Sequence, residues 1–238
     1  MSHRVLVWLL VAGVVAAGSV FAAVAIPQGS PVSAAHPISA AHPLPAVTAA
    51  AASPSVPASA KGAALQAGMR KLWEDHITWT RLYLVSAIAG LPDTGPTANR
   101  LLQNQADIGN AVKPFYGETA GTKLTALLRD HILIAADLVT AAKAGDNARV
   151  AATRTRWYAN ADEIAAFLAS ANPRHWPAAE MRGMMREHLD LTLTEATARL
   201  KADWALDIAT YEKIHEQILK MADMLSEGII AQFPAAFR

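Results

Sequence analysis

Apolar residues recur on one helical face over six stretches of the chain. From Lys61 to Gly90, Leu65, Met69, Leu72, His76, Trp79 and Tyr83 alternate at spacings of four and three, and GLPDTGP then breaks the pattern with glycine and proline. A shorter helix is predicted from Thr97 to about Val112, ended by KPFYG. The next runs from about Glu118 to Ala144 with the stripe Leu124, Leu128, His131, Ala135 and Leu138, and AGDN closes it. A fourth spans Asn147 to Ala171, with Val150, Trp157, Ala161, Ile164 and Leu168 inward, before NPRHWP interrupts. The fifth, Ala178 to Ala202, aligns Met181, Met184, His188, Leu191, Glu195 and Ala198. The last, Trp204 to Gln232, aligns Trp204, Ile208, Tyr211, His215, Ile218, Ala222, Leu225 and Ile229.

No stretch alternates with period two between hairpin turns, so no sheet is expected. Nor does a tandem repeat of solenoid length stand out in the domain. Short breaks between long helices predict an all-α, antiparallel up-down bundle of four to five long helices, with one short helix packed across an end.

Charge divides the chain. Between Val5 and Ala60 there is no Asp, Glu, Lys or Arg, whereas the chain beyond has the charge density of a folded domain. MSHR followed by an apolar run and Ala23-Val24-Ala25 reads as a signal peptide over residues 1–25, cleaved after Ala25, or as an uncleaved signal anchor of nearly bilayer-spanning length. Both readings put the rest of the chain outside the cytoplasm, secreted, periplasmic or anchored. Residues 26–60, rich in Pro, Ala and Ser, predict a disordered tether. Its tandem SAAHPI and SAAHPL place His36 and His42 six residues apart, which reads as slippage in a spacer or as a weak metal-catching tail. The helical domain is residues 61–238.

With Arg4 assigned to the leader, the remaining Lys and Arg equal the 20 Asp and Glu. A neutral domain without a basic run gives nucleic acid nothing to follow, and contact with membrane is expected only through the N-terminal segment. The chain has no cysteine, so disulfides, thiolate metal sites and cysteine nucleophiles are excluded. No glycine-rich phosphate loop, G-x-S-x-G elbow or H-E-x-x-H pair appears, and no catalytic residue is assigned.

The candidate chemistry is a layer of histidines. His76, His131, His188 and His215 each lie near the middle of a long helix, on its apolar stripe, at similar depth in an up-down bundle. Thr80 and Asn160 join them as candidate ligand-binding residues. Asp75, Asp130 and Glu187 directly precede three of them and could serve a neighbouring helix's imidazole as hydrogen-bond acceptors. Glu212 stands three residues before His215, one copy of the spacing that di-iron bundles use twice. Glu195 shares the stripe of His188 and needs a cation or metal beside it if buried. These residues define a candidate metal set: His76, His131, His188, Glu195, Glu212 and His215, with iron or copper the transition metals considered. The neighbouring Met181, Met184, Met185, Met221 and Met224 suit copper but equally fill a core. Phe115, Tyr116 and Trp176 in loops either line a ligand pocket or plug the bundle end.

The stretches LWEDHITWTR, RLLQNQADIGNAVKPFYG, WYANADEIAAFL and MADMLSEGIIAQFP, within Met69 to Pro234, resemble a family of small all-helical bacterial proteins commonest in spore-forming bacilli. The resemblance implies an all-helical fold and carries no established activity. Some members are called acetylglutamate kinase or glycosyltransferase, and neither name fits. Both activities need nucleotide-binding α/β architecture, which an all-helical chain lacks.

Three readings follow. The first is a non-enzymatic exported bundle that binds a small ligand or metal, or senses at the cell envelope with a partner there, through the layer of His76, His131 and His188. The second is a metal-dependent redox or storage bundle. The third is a structural or partner-binding bundle whose histidines only specify the core.

Overall fold

The computed structural model describes residues 59–238; the leader, the tether, His36 and His42 lie outside the described residues. Five helices follow in order: α1 (Ala60–Ala89), α2 (Thr94–Lys143), α3 (Asn147–Ala171), α4 (Ala178–Leu200) and α5 (Trp204–Gln232), then a 3-10 turn, Pro234–Phe237. There is no strand among the described residues, and none of these helices is long and apolar enough to cross a membrane. Local chemistry sets the ends. Ser59, Asp146 and Asp203 accept from the first-turn amides of Gly62, Arg149 and Leu206, and Gly90 ends α1 in the left-handed region.

The all-α bundle agrees with the pattern of apolar positions, but one segment is organised differently. No short separate helix packs across an end. The segment starting at Thr94 continues through KPFYG into the next helix, and the two limbs, residues 94–116 and 118–143, meet at a kink. Pro114 withdraws a backbone donor just before the bend, and Gly117 takes φ 82°, which a side chain would disfavour. Above the kink the limbs nearly touch. A Cβ on Gly109 would lie 2.6 Å from the Gly121 carbonyl oxygen, and one on Gly121 equally close to that of Gly109.

Counting each limb of α2 as a helix, the domain is three successive antiparallel hairpins closed into a ring, with α1 packed against α5. The hairpins repeat. His76, His131 and His188 recur at intervals of 55 and 57 residues, each in the first helix of its hairpin. In the second helix, Asn104, Asn160 and Gln217 donate to the carbonyls of Leu72, Leu127 and Met184, four residues before each histidine, across separations of 32, 33 and 33 residues. Seven residues before those amides stand Thr97, Thr153 and Thr210, all buried. The interval is longer than that of the solenoid units, of which none was expected. The repeat is carried by a few buried polar positions, while its apolar positions exchange freely among Leu, Ile, Met and Trp, which conceals it.

This register sorts the core into layers along the ring axis. On the N-terminal side of the histidines lie Trp73, Leu128 and Met185, then Met69, Leu124 and Met181, all buried. That end is closed by aromatics. Phe115 stacks on Phe237, Tyr116 contacts Trp176 and Phe233, and the Trp176 indole donates to the Met224 carbonyl at 3.2 Å. Phe115, Tyr116 and Trp176 thus act as a plug. Gly228 leaves room for it, since a Cβ there would lie 2.1 Å from the Trp176 nitrogen. On the other side the corresponding layers are smaller: Thr80, Ala135 and Thr192, then Leu84, Val139 and Ala196.

Candidate functional site

Three of the four predicted histidines are buried together, each between 3 and 5 % exposed. The rings of His76 and His188 lie 5.7 Å apart, and His131 stacks on Trp157 with centroids 5.2 Å apart. Their partners are side-chain amides, not the adjacent acids. His131 Nδ1 is 2.8 Å from Asn160 Oδ1, and His188 Nδ1 is 3.3 Å from Gln217 Oε1. Because Asn160 and Gln217 use their nitrogens on backbone carbonyls, their oxygens must accept, so His131 and His188 carry the proton on Nδ1. The Gln105 amide nitrogen lies 3.3 Å from His76 Nδ1, but it donates to the Leu101 carbonyl at 2.8 Å and to Asn104 Oδ1 at 3.1 Å.

Asp75, Asp130 and Glu187 face outward. Asp75 pairs with Lys71, and Asp130 and Glu187 are exposed. With no anion in contact, burial keeps the imidazoles neutral. Desolvation lowers His131 and His188 to about 4, and it also lowers His76 well below its ordinary value, with the charges of His188 and His131 adding to the effect.

The rest of the predicted metal set disperses. His215 is 41 % exposed and pairs with Glu74 at 2.8 Å, and Glu212 is exposed. The inward line of α5 is instead Asp207, Thr210, Ile214, Gln217 and Met221. The expected stripe holds in the C-terminal half of α5, where Ile218, Ala222, Leu225 and Ile229 are buried, but not in the N-terminal half, where Trp204 and Ile208 are 53 and 57 % exposed and the adjacent line turns inward. Among the described residues, no group of three or more His, Asp or Glu side chains has an arrangement that could hold a metal ion.

Glu195 is buried, and the cation beside it is Arg81. Arg81 Nη1 reaches Glu195 Oε1 at 2.5 Å and Asp207 Oδ1 at 2.9 Å, and Arg199 Nη1 reaches Asp207 Oδ2 at 2.7 Å. The guanidinium of Arg81 also sits 4.7 Å from the centre of the Tyr211 ring. This network ties α1, α4 and α5 across the seam where the first and third hairpins meet. Burial pushes the Glu195 carboxyl up to about 7, against the opposing pull of Arg81. Sequence reasoning missed Arg81, Asp207, Gln105 and Gln217. The signal that would have found Gln217 is the hairpin repeat, which puts it in register with Asn160.

Next to the histidine layer, on the side with small residues, is a cavity of about 120 Å³. Thr80 and Thr192 each lie one helical turn beyond a histidine and line it, together with Leu84, Leu101, Leu138, Val139, Trp157 and Ala196. Their hydroxyls donate to the His76 and His188 carbonyls, both at 2.8 Å. The exposed Thr197 and the half-buried Tyr83 and Leu200 are at its edge.

The amide clamp makes a measurable claim. Asn160→Leu removes both the acceptor for His131 and the donor to Leu127, and is expected to destabilise the protein by about 1–3 kcal/mol in a urea titration. Asn160→Ser is expected to cost as much, because its hydroxyl is too short to span both partners.

The fold and site define a closed helical-hairpin bundle with a polar layer at mid-height and an apolar cavity beside it. No family model, curated protein or solved structure matches the chain.

Proposed function

We propose that this bundle is a non-enzymatic binding protein that takes a small molecule into the cavity beside the histidine layer, and reports or stores it at the cell envelope. The observation that supports this reading is an asymmetry of packing. Large side chains and an aromatic plug fill the core on one side of the histidines, while the repeat-equivalent positions on the other side are small and leave space. At roughly 24 cal/mol per Å³, a cavity of about 120 Å³ costs on the order of 3 kcal/mol, and single methylenes added by mutation would relieve it. The unfilled space is a standing cost that a molecule occupying it would offset.

The histidines serve this site from behind. Asn160 and Gln217 hold His131 and His188, and burial keeps the layer neutral, so the histidines support the helices beside the space without lining it or placing a charge in it. The redox or storage reading has less support, since His215 and Glu212 face outward and Glu195 is held by Arg81.

The test is cavity filling. Ala196→Leu places an isobutyl group into the space; the variant is expected to unfold at a higher temperature than the parent and to lose the thermal upshift that a binding ligand gives the parent. Equal ligand shifts in the two proteins would contradict binding at this cavity.

A further inference from the structure

We infer that the ligand of this cavity is a compact, uncharged, predominantly apolar molecule of about the size of one six-membered ring; the inference rests on the binding reading above. Size comes first. An engineered core cavity of about 150 Å³ lined by Leu, Ile and Phe stays dry and admits benzene or xenon, and this one, at about 120 Å³, is of the same order.

The lining fixes the chemistry. No Asp, Glu, Lys, Arg or His is among its residues, so a formally charged ligand would lose its hydration without gaining a counter-ion. The ionic groups nearby are already committed to one another, Arg81 to Glu195 and Asp207, and Arg199 to Asp207. Every lining residue also lies within a helix, so away from the end of α4 at Leu200 the backbone donors and acceptors around the space are used in the helices' own hydrogen bonds. The deep hydroxyls, Thr80 and Thr192, have spent their protons on the carbonyls of His76 and His188. They tolerate one polar substituent on a ligand, and the buried indole N–H of Trp157, which lacks a partner, is a donor that such a substituent could accept from.

The shape argues for a ring. Trp157 lines the space and is held in place by His131 stacked on it, and Leu101 and Leu138 also line the space. An indole held in this way fits an offset-stacked aromatic or a saturated ring of similar size.

The experiment is isothermal titration of the full chain with benzene, phenol and cyclohexane, against benzoate and benzylammonium, repeated on Ala196→Leu and Ala135→Ile. The expected result is saturable binding of the uncharged rings, at least about tenfold tighter than of either charged analogue. Both filled variants should lose that binding while keeping a cooperative urea transition; two variants are used so that misfolding of one leaves the test intact. Charged analogues that bind as tightly as the neutral rings, with binding still lost on filling, would overturn the ligand class and leave the binding reading standing. If no ring binds, yet a broad metabolite screen gives a thermal shift that filling removes, the class is again wrong and the cavity reading survives. If nothing binds and filling only stabilises, both fall.

Discussion

Acidification from pH 7 to pH 4 is expected to destabilise the folded domain severely, and the cause is the histidine layer. In the unfolded chain these imidazoles titrate near 6.5, but in the fold burial holds His131 and His188 to about 4 and pushes His76 well below its ordinary value. The unfolded state therefore binds more protons between those values. The stability that neutral histidines lend is complete above about pH 6.5 and falls as the pH drops towards the folded values. At pH 4 each histidine with a folded value of about 4 accounts for about 3 kcal/mol of lost stability. Glu195 acts in the opposite sense. Its raised carboxyl takes up a proton in the fold as the pH falls through about 7, so its contribution is gained on acidification. Three histidines outweigh one carboxyl, and a net loss on the order of 3–6 kcal/mol is expected by pH 4, comparable to a small domain's whole stability. Urea midpoints measured from pH 7.5 to 4 should fall steeply below pH 6. His131→Leu combined with His188→Leu should flatten that slope, whatever it does to the midpoint at neutral pH.

The second large effect is expected at Arg81. It faces two carboxylates that are 1–2 % exposed, and Arg81→Met would leave Glu195 without its cation and Asp207 with Arg199 alone. Breaking a buried pair in this way costs about 3–5 kcal/mol, because a buried charge is left uncompensated. Replacing Arg81, Glu195 and Asp207 together by Met, Leu and Leu should recover most of that loss. Denaturant titrations of the single and triple variants at pH 7.5 measure both. A single variant within about 0.5 kcal/mol of the parent would show that the seam does not depend on this network.

The fold was legible because its apolar faces run at helical spacing for long stretches and its breaks are marked by Gly and Pro. The predicted spans Asn147 to Ala171 and Trp204 to Gln232 are those observed. Three layer histidines were legible too, since each interrupts an otherwise apolar line. What escaped was pairing. His215 lies on a line as apolar as that of Gln217, and helical spacing alone cannot choose between them. The choice is made by Gln217 reaching Met184 and His188, and by Asp207 reaching Arg81 and Arg199, contacts between residues distant in sequence. The cavity was illegible for a related reason. Small residues at Thr80, Ala135, Thr192 and Ala196 are unremarkable one at a time, and become a space only when the three hairpins are placed in register. The metal reading likewise depended on four histidines sharing a depth, with Glu195 and Glu212 on the faces of His188 and His215, and the packing of α5 leaves His215 and Glu212 at the surface.

The central claim, a ligand site beside the histidine layer, is tested most directly by methyl-resolved NMR of the full chain during titration with phenol. The account predicts saturable shifts at Leu84, Leu101, Ile132, Leu138 and Val139 around the cavity, with Leu168, Leu225 and Ile229 near the plugged end unmoved. Saturable shifts confined to the plugged end would contradict it, as would unsaturable shifts over surface methyls together with no thermal shift from any metabolite that filling the cavity removes.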